Sequence, residues 1–282
     1  MPKYIDIHAH INFDIFNSDR DEVISRAIND DTWFINIGTQ LNTSKRAVAI
    51  SNKYEKGIYA TIGLHPIHTS ISYHDEDESP DNDLPEVFDK EKYRELSRKG
   101  KVVAIGECGL DYFHLGNGDT ERQKDAFIKQ IELANELGLP LMLHIRNSDE
   151  DISTSAYQDV LELLKKYSKT KGVVHFFAGS IKDAKDFLDF GFYISFAGVI
   201  TYPPKKNNPR NIDMNSIVKE VPLDRILADT DSPYVAPVPY RGKRNEPVYV
   251  REIVKKISEI KGLEERILAQ KIAENARRLF NI

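Results

Sequence analysis

The chain has 282 residues, a formal net charge of −5 and a composition of 40% hydrophobic, 10% aromatic and 29% charged residues, the balance of an ordinary globular protein. That charge excludes a protein that coats nucleic acid by global electrostatics, though not an enzyme that handles a few phosphates locally. No apolar run approaches the roughly 18 residues of a membrane-crossing helix. The amino terminus lacks a basic-then-apolar leader, and the single cysteine, Cys108, excludes an internal disulfide, so a reducing, cytoplasmic compartment is expected.

Tyr4–His10 alternates as a short strand does, and residues two apart on a strand share a face, so His8 and His10 point at one object with Asp6 below them. A helix around Asp19–Asn29 leads to a second strand, Trp33–Gly38, and a helix near Thr43–Tyr54 to a third, Ile58–Leu64. Tyr73–Glu86 carries seven carboxylates and two prolines. Like charges at that density self-repel, which predicts a mobile surface loop over about 73–86 without chemistry of its own. Lys90–Lys99 reads as a helix stopped by Gly100, and Lys101–Gly106 as a fourth strand. Thr120 and Gln123 form a capping box for a helix with the stripe Phe127, Ile131, Ala134 and Leu137. Pro140–His144, Gly172–Phe176, Phe192–Phe196 and Arg225–Thr230 follow as strands five to eight. Helices are predicted at Tyr157–Tyr167, Ile181–Phe190, Ile212–Lys219, Pro247–Ile260 and Glu264–Phe280.

Eight strands alternating with helices predict parallel pairing through right-handed crossovers. An open doubly wound sheet competes, but eight repeats over this length fit an α/β fold of the (β/α)8 TIM-barrel type, as one domain spanning residues 1–282. Continuously apolar strands such as Val102–Ile105 and Leu141–Leu143 agree with burial on both faces. A monomer is the default expectation.

Chemistry in such barrels sits at the carboxyl ends of the strands. His8 and His10 follow strand one, Glu107 strand four, His144 strand five, His175 strand six and Asp231 strand eight. Any one of these is explained as a solvated or boundary residue; six metal-competent groups on one rim, including four of the eight histidines, are not. Mixed histidine and carboxylate donors exceed the needs of one tetrahedral zinc. They suit two divalent cations about 3.5–4 Å apart that lower the pKa of a shared water and clamp the attacking and leaving oxygens. Glu107 is the expected bridge and Asp231 the proton acceptor.

The chain resembles the TatD family of metal-dependent deoxyribonucleases, among the amidohydrolase-like barrels. The similarity lies in Asp6-Ile7-His8-Ala9-His10, Gly63-Leu64-His65-Pro66, Gly106-Glu107-Cys108-Gly109-Leu110-Asp111-Tyr112, Leu143-His144-Ile145-Arg146, His175-Phe176-Phe177-Ala178-Gly179, Thr230-Asp231-Ser232-Pro233-Tyr234 and Arg241-Gly242-Lys243-Arg244-Asn245-Glu246-Pro247. The resemblance implies metal ligation by His8, His10, Glu107, His144, His175 and Asp231, and hydrolysis of DNA phosphodiester bonds, often from a 3′ end. The family usually has Glu where this chain has Asp229 and Cys-Phe-Ser where it has Phe176-Phe177-Ala178. Asp229 and Asp111 are expected to support the ligands from behind.

Phosphate contact is expected of His65, Arg146, Arg241, Lys243 and Arg244, and the cluster Lys205, Lys206 and Arg210 reads either way, as phosphate contact or solvated loop. Tyr112, Phe113, Tyr202 and Tyr234 offer rings on which bases could stack, as in single-strand binders, and they serve equally well as lids on the core. His65 follows strand three and, with His68, reads equally well as phosphate contact or as structural, and Cys108 reads as a small buried hydrophobe. Magnesium, zinc and manganese all remain open as the metals, and the substrate expected is DNA with single-stranded or frayed ends. A lactone, amide or ester hydrolase on the same barrel is the enzymatic alternative, and a degenerate scaffold the non-enzymatic one.

Overall fold

The apolar strand segments assemble, in the computed structural model, into one parallel sheet in the order β1 to β8. The structure describes residues 1–71, 76–78, 85–116, 118–149, 151, 153–203 and 212–282. The strands are β1 Tyr4–Ala9, β2 Thr32–Asn36, β3 Ile58–Ile62, β4 Val102–Asp111, β5 Leu141–Arg146, β6 Gly172–Val174, β7 Tyr193–Phe196 and β8 Ile226–Ala228. After β8 the chain returns to β1: Ala9 and Ser232 form a parallel bridge, the His10 amide donates to the Ser232 carbonyl at 2.7 Å and the Asp231 amide to the His8 carbonyl at 2.9 Å. Asp6, fully buried, reinforces this seam by accepting from the Thr230 amide and hydroxyl at 2.9 and 2.6 Å. A TIM barrel results, as the alternation predicted.

The helices are α1 Arg20–Asn29, α2 Leu41–Ser51, α3 Lys90–Ser97, α4 Asp119–Leu137, α5 Ala156–Tyr167, α6 Ile181–Asp189, α7 Met214–Glu220, α8 Val250–Lys261 and α9 Glu265–Phe280. Each lays an apolar stripe on the strands, such as Phe127, Ile131 and Ala134 of α4 and Val250, Val254 and Ile257 of α8, all buried. Ser180 and Asp183 form a reciprocal capping box on α6. The box expected from Thr120 and Gln123 is absent: α4 starts at Asp119 after Gly118 in the left-handed region. Gln123 is taken instead by the end of β4, its Oε1 accepting from the Asp111 amide and its Nε2 donating to the Asp111 carbonyl. A buried main-chain donor and acceptor outcompete a solvated helix end.

Strand β4 runs five residues past its expected end, so Glu107 lies inside a strand rather than after one. The acidic segment needs a correction as well. Of the expected 73–86 loop, residues 73–75 and 79–84 lie outside the described residues, but the described part is docked. Glu78 is only 3% exposed, the Asp14 and Ile15 amides donate to the Glu78 and Asp77 carbonyls, and the Glu86 carboxylate accepts from the Tyr93 hydroxyl at 2.8 Å. Carboxylates that find buried donors are held rather than repelled.

Phe127 fills the space between α4 and the sheet with no exposed surface. Phe127→Ala is expected to cost about 3–5 kcal/mol, whereas Ile181→Ala, at an exposed position at the start of α6, stays within about 0.5 kcal/mol. Urea unfolding midpoints check both.

Candidate metal centre

Two bulges aim the central side chains. The β1–β2 register slips between Asp6 and Ala9, and the β4–β5 register between Ile105 and Cys108. In each case three steps on one strand match two on the other, which re-aims the residues between. Glu107 sits in the second bulge, flanked by Gly106 at φ +148° and Gly109 at φ +140°. A Cβ at Gly109 would stand 2.0 Å from the His144 carbonyl oxygen, and one at Gly106 2.4 Å from that of Met142. Only glycine lets β4 approach β5 this closely.

Five imidazoles surround the Glu107 carboxylate. His8 Nε2 and His10 Nε2 lie 3.2 and 3.6 Å from Oε2. His65 Nε2, His144 Nδ1 and His175 Nε2 lie 3.3, 3.1 and 2.8 Å from Oε1. Asp231 Oδ1 stands 3.7 Å from His8 Nε2 and 3.4 Å from His10 Nε2. The His8 and His175 rings stack at 3.7 Å, and the His8 and His10 Nε2 atoms are 3.1 Å apart. Three overlapping groups result: His8, His175 and Asp231; His8, His10 and Glu107; His65, Glu107 and His144. The ligand atoms of each lie within 4.8 Å of one another.

The electrostatics suit cations. Burial, and then the neighbouring His175, pull His8 down to about 3; burial and His144 pull His65 down to about 4. Both are therefore neutral near pH 7, the form that coordinates metal. Burial would raise Glu107, but His65, His8 and His175 outweigh it and hold the carboxylate well below its ordinary range. Asp231 is likewise lowered, burial being overcome by the His10 hydrogen bond and nearby histidines. His8, His10 and His175 each bury an Nδ1 with no hydrogen-bond partner among the described residues, so the polar contacts of these rings run through the Nε2 atoms that converge. Nε2 atoms that converge beside two carboxylates make a donor set that fits one or more divalent cations.

Behind these groups, Asp111 lies 3.0 Å from His144 Nε2 and accepts from the Phe113 and His114 amides. With His144 held between Asp111 and Glu107, burial is outweighed and its pKa rises to about 9. Asp229 accepts from Ser195 Oγ and, at 3.2 Å, from the Phe176 amide, so it braces the residue after His175. Two residues on, Asp231 sits in the left-handed region at φ +55°.

A cleft of about 1180 Å³ opens over the cluster, lined among others by His65, Arg146, Tyr202, Asp231, Tyr234 and Arg241. Arg146 packs 3.7 Å from the Phe113 ring centre and Arg241 4.4 Å from that of Tyr202. His65, expected at phosphate, touches Glu107 directly. Arg244, also expected at phosphate, binds the Asp19 carboxylate and the Ile15 carbonyl and covers the Phe16 ring, and it is not among the residues that line the cleft. Lys243 is exposed and outside that lining too. Tyr112 is buried, its hydroxyl 2.5 Å from Asp159, and serves as a lid on the core rather than a stacking surface. Cys108 is buried as expected, and Lys205, Lys206 and Arg210 lie outside the described residues. The sequence reading missed Thr39 and Glu78, which line the cleft with His68; nothing local to either residue signals it.

A family model described as TatD-related DNase matches residues 5–281. The chain is 37% identical over 278 residues to the uncharacterized metal-dependent hydrolase YabD of Bacillus subtilis, covering 98% of each. It is 32% identical to a protein of Cronobacter sakazakii named 3′-5′ ssDNA/RNA exonuclease TatD, covering 98% of this chain and 97% of that one. Among solved structures it is similar to the TatD homolog YJJV of Escherichia coli, with a TM-score of 0.80 and 28% identity over 99% of this chain and 98% of that one.

Two outcomes are expected of the site. Zinc or manganese added to metal-stripped protein at about 100-fold its dissociation constant stabilises the fold by roughly 2.7 kcal/mol, a melting shift of about 5 °C, and Glu107→Ala removes most of it; differential scanning fluorimetry checks both. Arg244→Ala loses the Asp19 contact and about 1–2 kcal/mol of stability, and leaves the KM for substrate unchanged.

Proposed function

The chain belongs to the family of TatD-related DNases, metal-dependent hydrolases on a TIM barrel, and from that premise we propose that it hydrolyses phosphodiester bonds of DNA, trimming single-stranded or frayed ends from the 3′ side. The observation that carries this reading is the convergence of His8, His10, His65, His144, His175, Glu107 and Asp231 beneath a cleft lined by Arg146 and Arg241. The exonuclease names of relatives 32% identical over nearly the whole chain support it.

Two divalent cations, when bound among these donors, would polarise a phosphoryl oxygen and supply a water acidified enough to attack phosphorus near neutral pH. Glu107 turns one oxygen to His8 and His10 and the other to His65, His144 and His175, so it would help to hold the ions together with both sets of imidazoles. Histidine donors suit zinc or manganese, and carboxylates facing phosphate suit magnesium. Asp231 keeps part of its side chain accessible and is held ionised, so its Oδ atoms take up the proton of the attacking water. Arg146 and Arg241, each with its guanidinium seated on a ring, present charged donors to flanking phosphates. These two side chains favour a phosphodiester over a neutral lactone or ester.

The deciding experiment incubates metal-stripped protein, and protein reloaded with magnesium, manganese or zinc, with end-labelled single-stranded DNA. Metal-dependent trimming is expected. Glu107→Ala and Asp231→Asn should each reduce it by about 10³-fold. Arg146→Ala and Arg241→Ala should each raise KM several-fold, worth about 1 kcal/mol apiece. Absence of cleavage with metals demonstrably bound would overturn the nuclease reading.

A further inference from the structure

One carboxylate in the cleft has no part in the chemistry above. Glu78 lines the cleft with His10, Thr39, His65 and His68 and is almost wholly buried. Thr39 Oγ1, just beyond β2, donates to its Oε1, and His68 Nε2, in the short helical turn after β3, lies 2.7 Å from its Oε2. Thr39 is itself fixed by Thr43, hydroxyl to hydroxyl at 2.9 Å, and the Glu78 carbonyl accepts from the Asp14 amide. Burial would raise the Glu78 pKa, but His68, the Thr39 hydroxyl and His10 outweigh it, so the group is an anion.

A fixed buried anion beside a phosphate-handling centre discriminates by charge. A hydroxyl can donate to the lone pairs that Thr39 and His68 leave open, whereas a phosphate at the same place meets like-charge repulsion in a site of low dielectric. We propose that Glu78, positioned by Thr39 and His68, is a specificity-determining residue that accepts a strand end bearing a free hydroxyl and rejects one bearing a further phosphate. This rests on the phosphodiesterase reading above and adds to it the reason that a terminus, rather than an internal stretch, occupies the site. A latch that only pins its own segment needs the same hydrogen bonds but not the charge. Glu78→Gln separates the two, because an amide keeps a donor and an acceptor for His68 and Thr39 while removing the charge.

The test uses metal-loaded wild type and Glu78→Gln on two single-stranded oligonucleotides of one sequence, 5′-labelled, ending in a 3′-hydroxyl or a 3′-phosphate. Metal content and melting midpoint are measured alongside. Wild type should favour the hydroxyl end by about tenfold or more in kcat/KM, as expected for like charges within one buried site. Glu78→Gln should bring the ratio within about threefold, chiefly by faster cleavage of the phosphate end. Glu78→Ala, read the same way, should also collapse the ratio and covers the case that Glu78→Gln loads metal poorly; a latch alone would slow both substrates equally. An unchanged ratio in the variants, or a wild type indifferent to the terminal phosphate, overturns the proposal. Hydrolysis of bis(p-nitrophenyl) phosphate with no end preference overturns this proposal alone, whereas no hydrolysis of any diester with metals bound overturns the reading beneath it.

Discussion

The Glu107 carboxylate, buried among five imidazoles at 2.8–3.6 Å, is the contact on which the rest of the molecule depends. An ion taken out of water costs several kcal/mol unless its surroundings return that energy. Here the return comes from β1, the end of β3, β5 and the end of β6, so no local piece of chain can supply it. Delivering the carboxylate in turn requires β4 to bulge and to run against β5 at a distance that only Gly106 and Gly109 permit. The backbone geometry of one strand and the chemistry of the centre are therefore a single constraint.

Charge around that centre is layered. Neutral His8 and His65 and ionised Glu107 and Asp231 occupy the floor. Arg146 and Arg241 stand at the mouth, and Glu78 forms one wall. With a chain charge of −5, attraction for the polyanion proposed as substrate cannot come from the protein as a whole and must be made locally. Seating each guanidinium on an aromatic ring holds it in place while its N–H edges stay available, which suits a charge that must wait at a rim for its partner.

Much of this was legible in the sequence. Apolar strands at regular spacing point to the barrel, and a barrel assigns chemistry to its strand ends, so His8, His10, Glu107, His144, His175 and Asp231 can be grouped from the sequence alone. What escaped was set by contacts far apart in the chain. Arg244 looked like a phosphate ligand because it stands in a basic run, but Asp19, on the other side of the sequence, takes its charge. Gln123 looked like a helix cap and is a brace for β4. Glu78 looked like one charge in a repelling loop; the partners that bury it, Thr39 and His68, belong to the ends of β2 and β3. Composition and periodicity describe a residue's neighbours along the chain, and these roles are decided by neighbours across it.

The seam between β8 and β1 ties assembly of the site to closure of the fold. Asp6 binds the amide and hydroxyl of Thr230, 224 residues away, and also accepts from the His8 amide at 3.2 Å. The Asp231 amide reaches the His8 carbonyl and the His10 amide the Ser232 carbonyl. The bonds that close the barrel are thus made by the residues that carry, or adjoin, three of the ligand candidates. Pairing across the whole length of the chain bears the loop-closure entropy that makes such contacts slow to form. Until β8 meets β1, His8 and His10 have no Asp231 opposite them. A cation held between them would bind the closed barrel and not the open chain, and so add its binding energy at the joint where the fold is entropically most expensive.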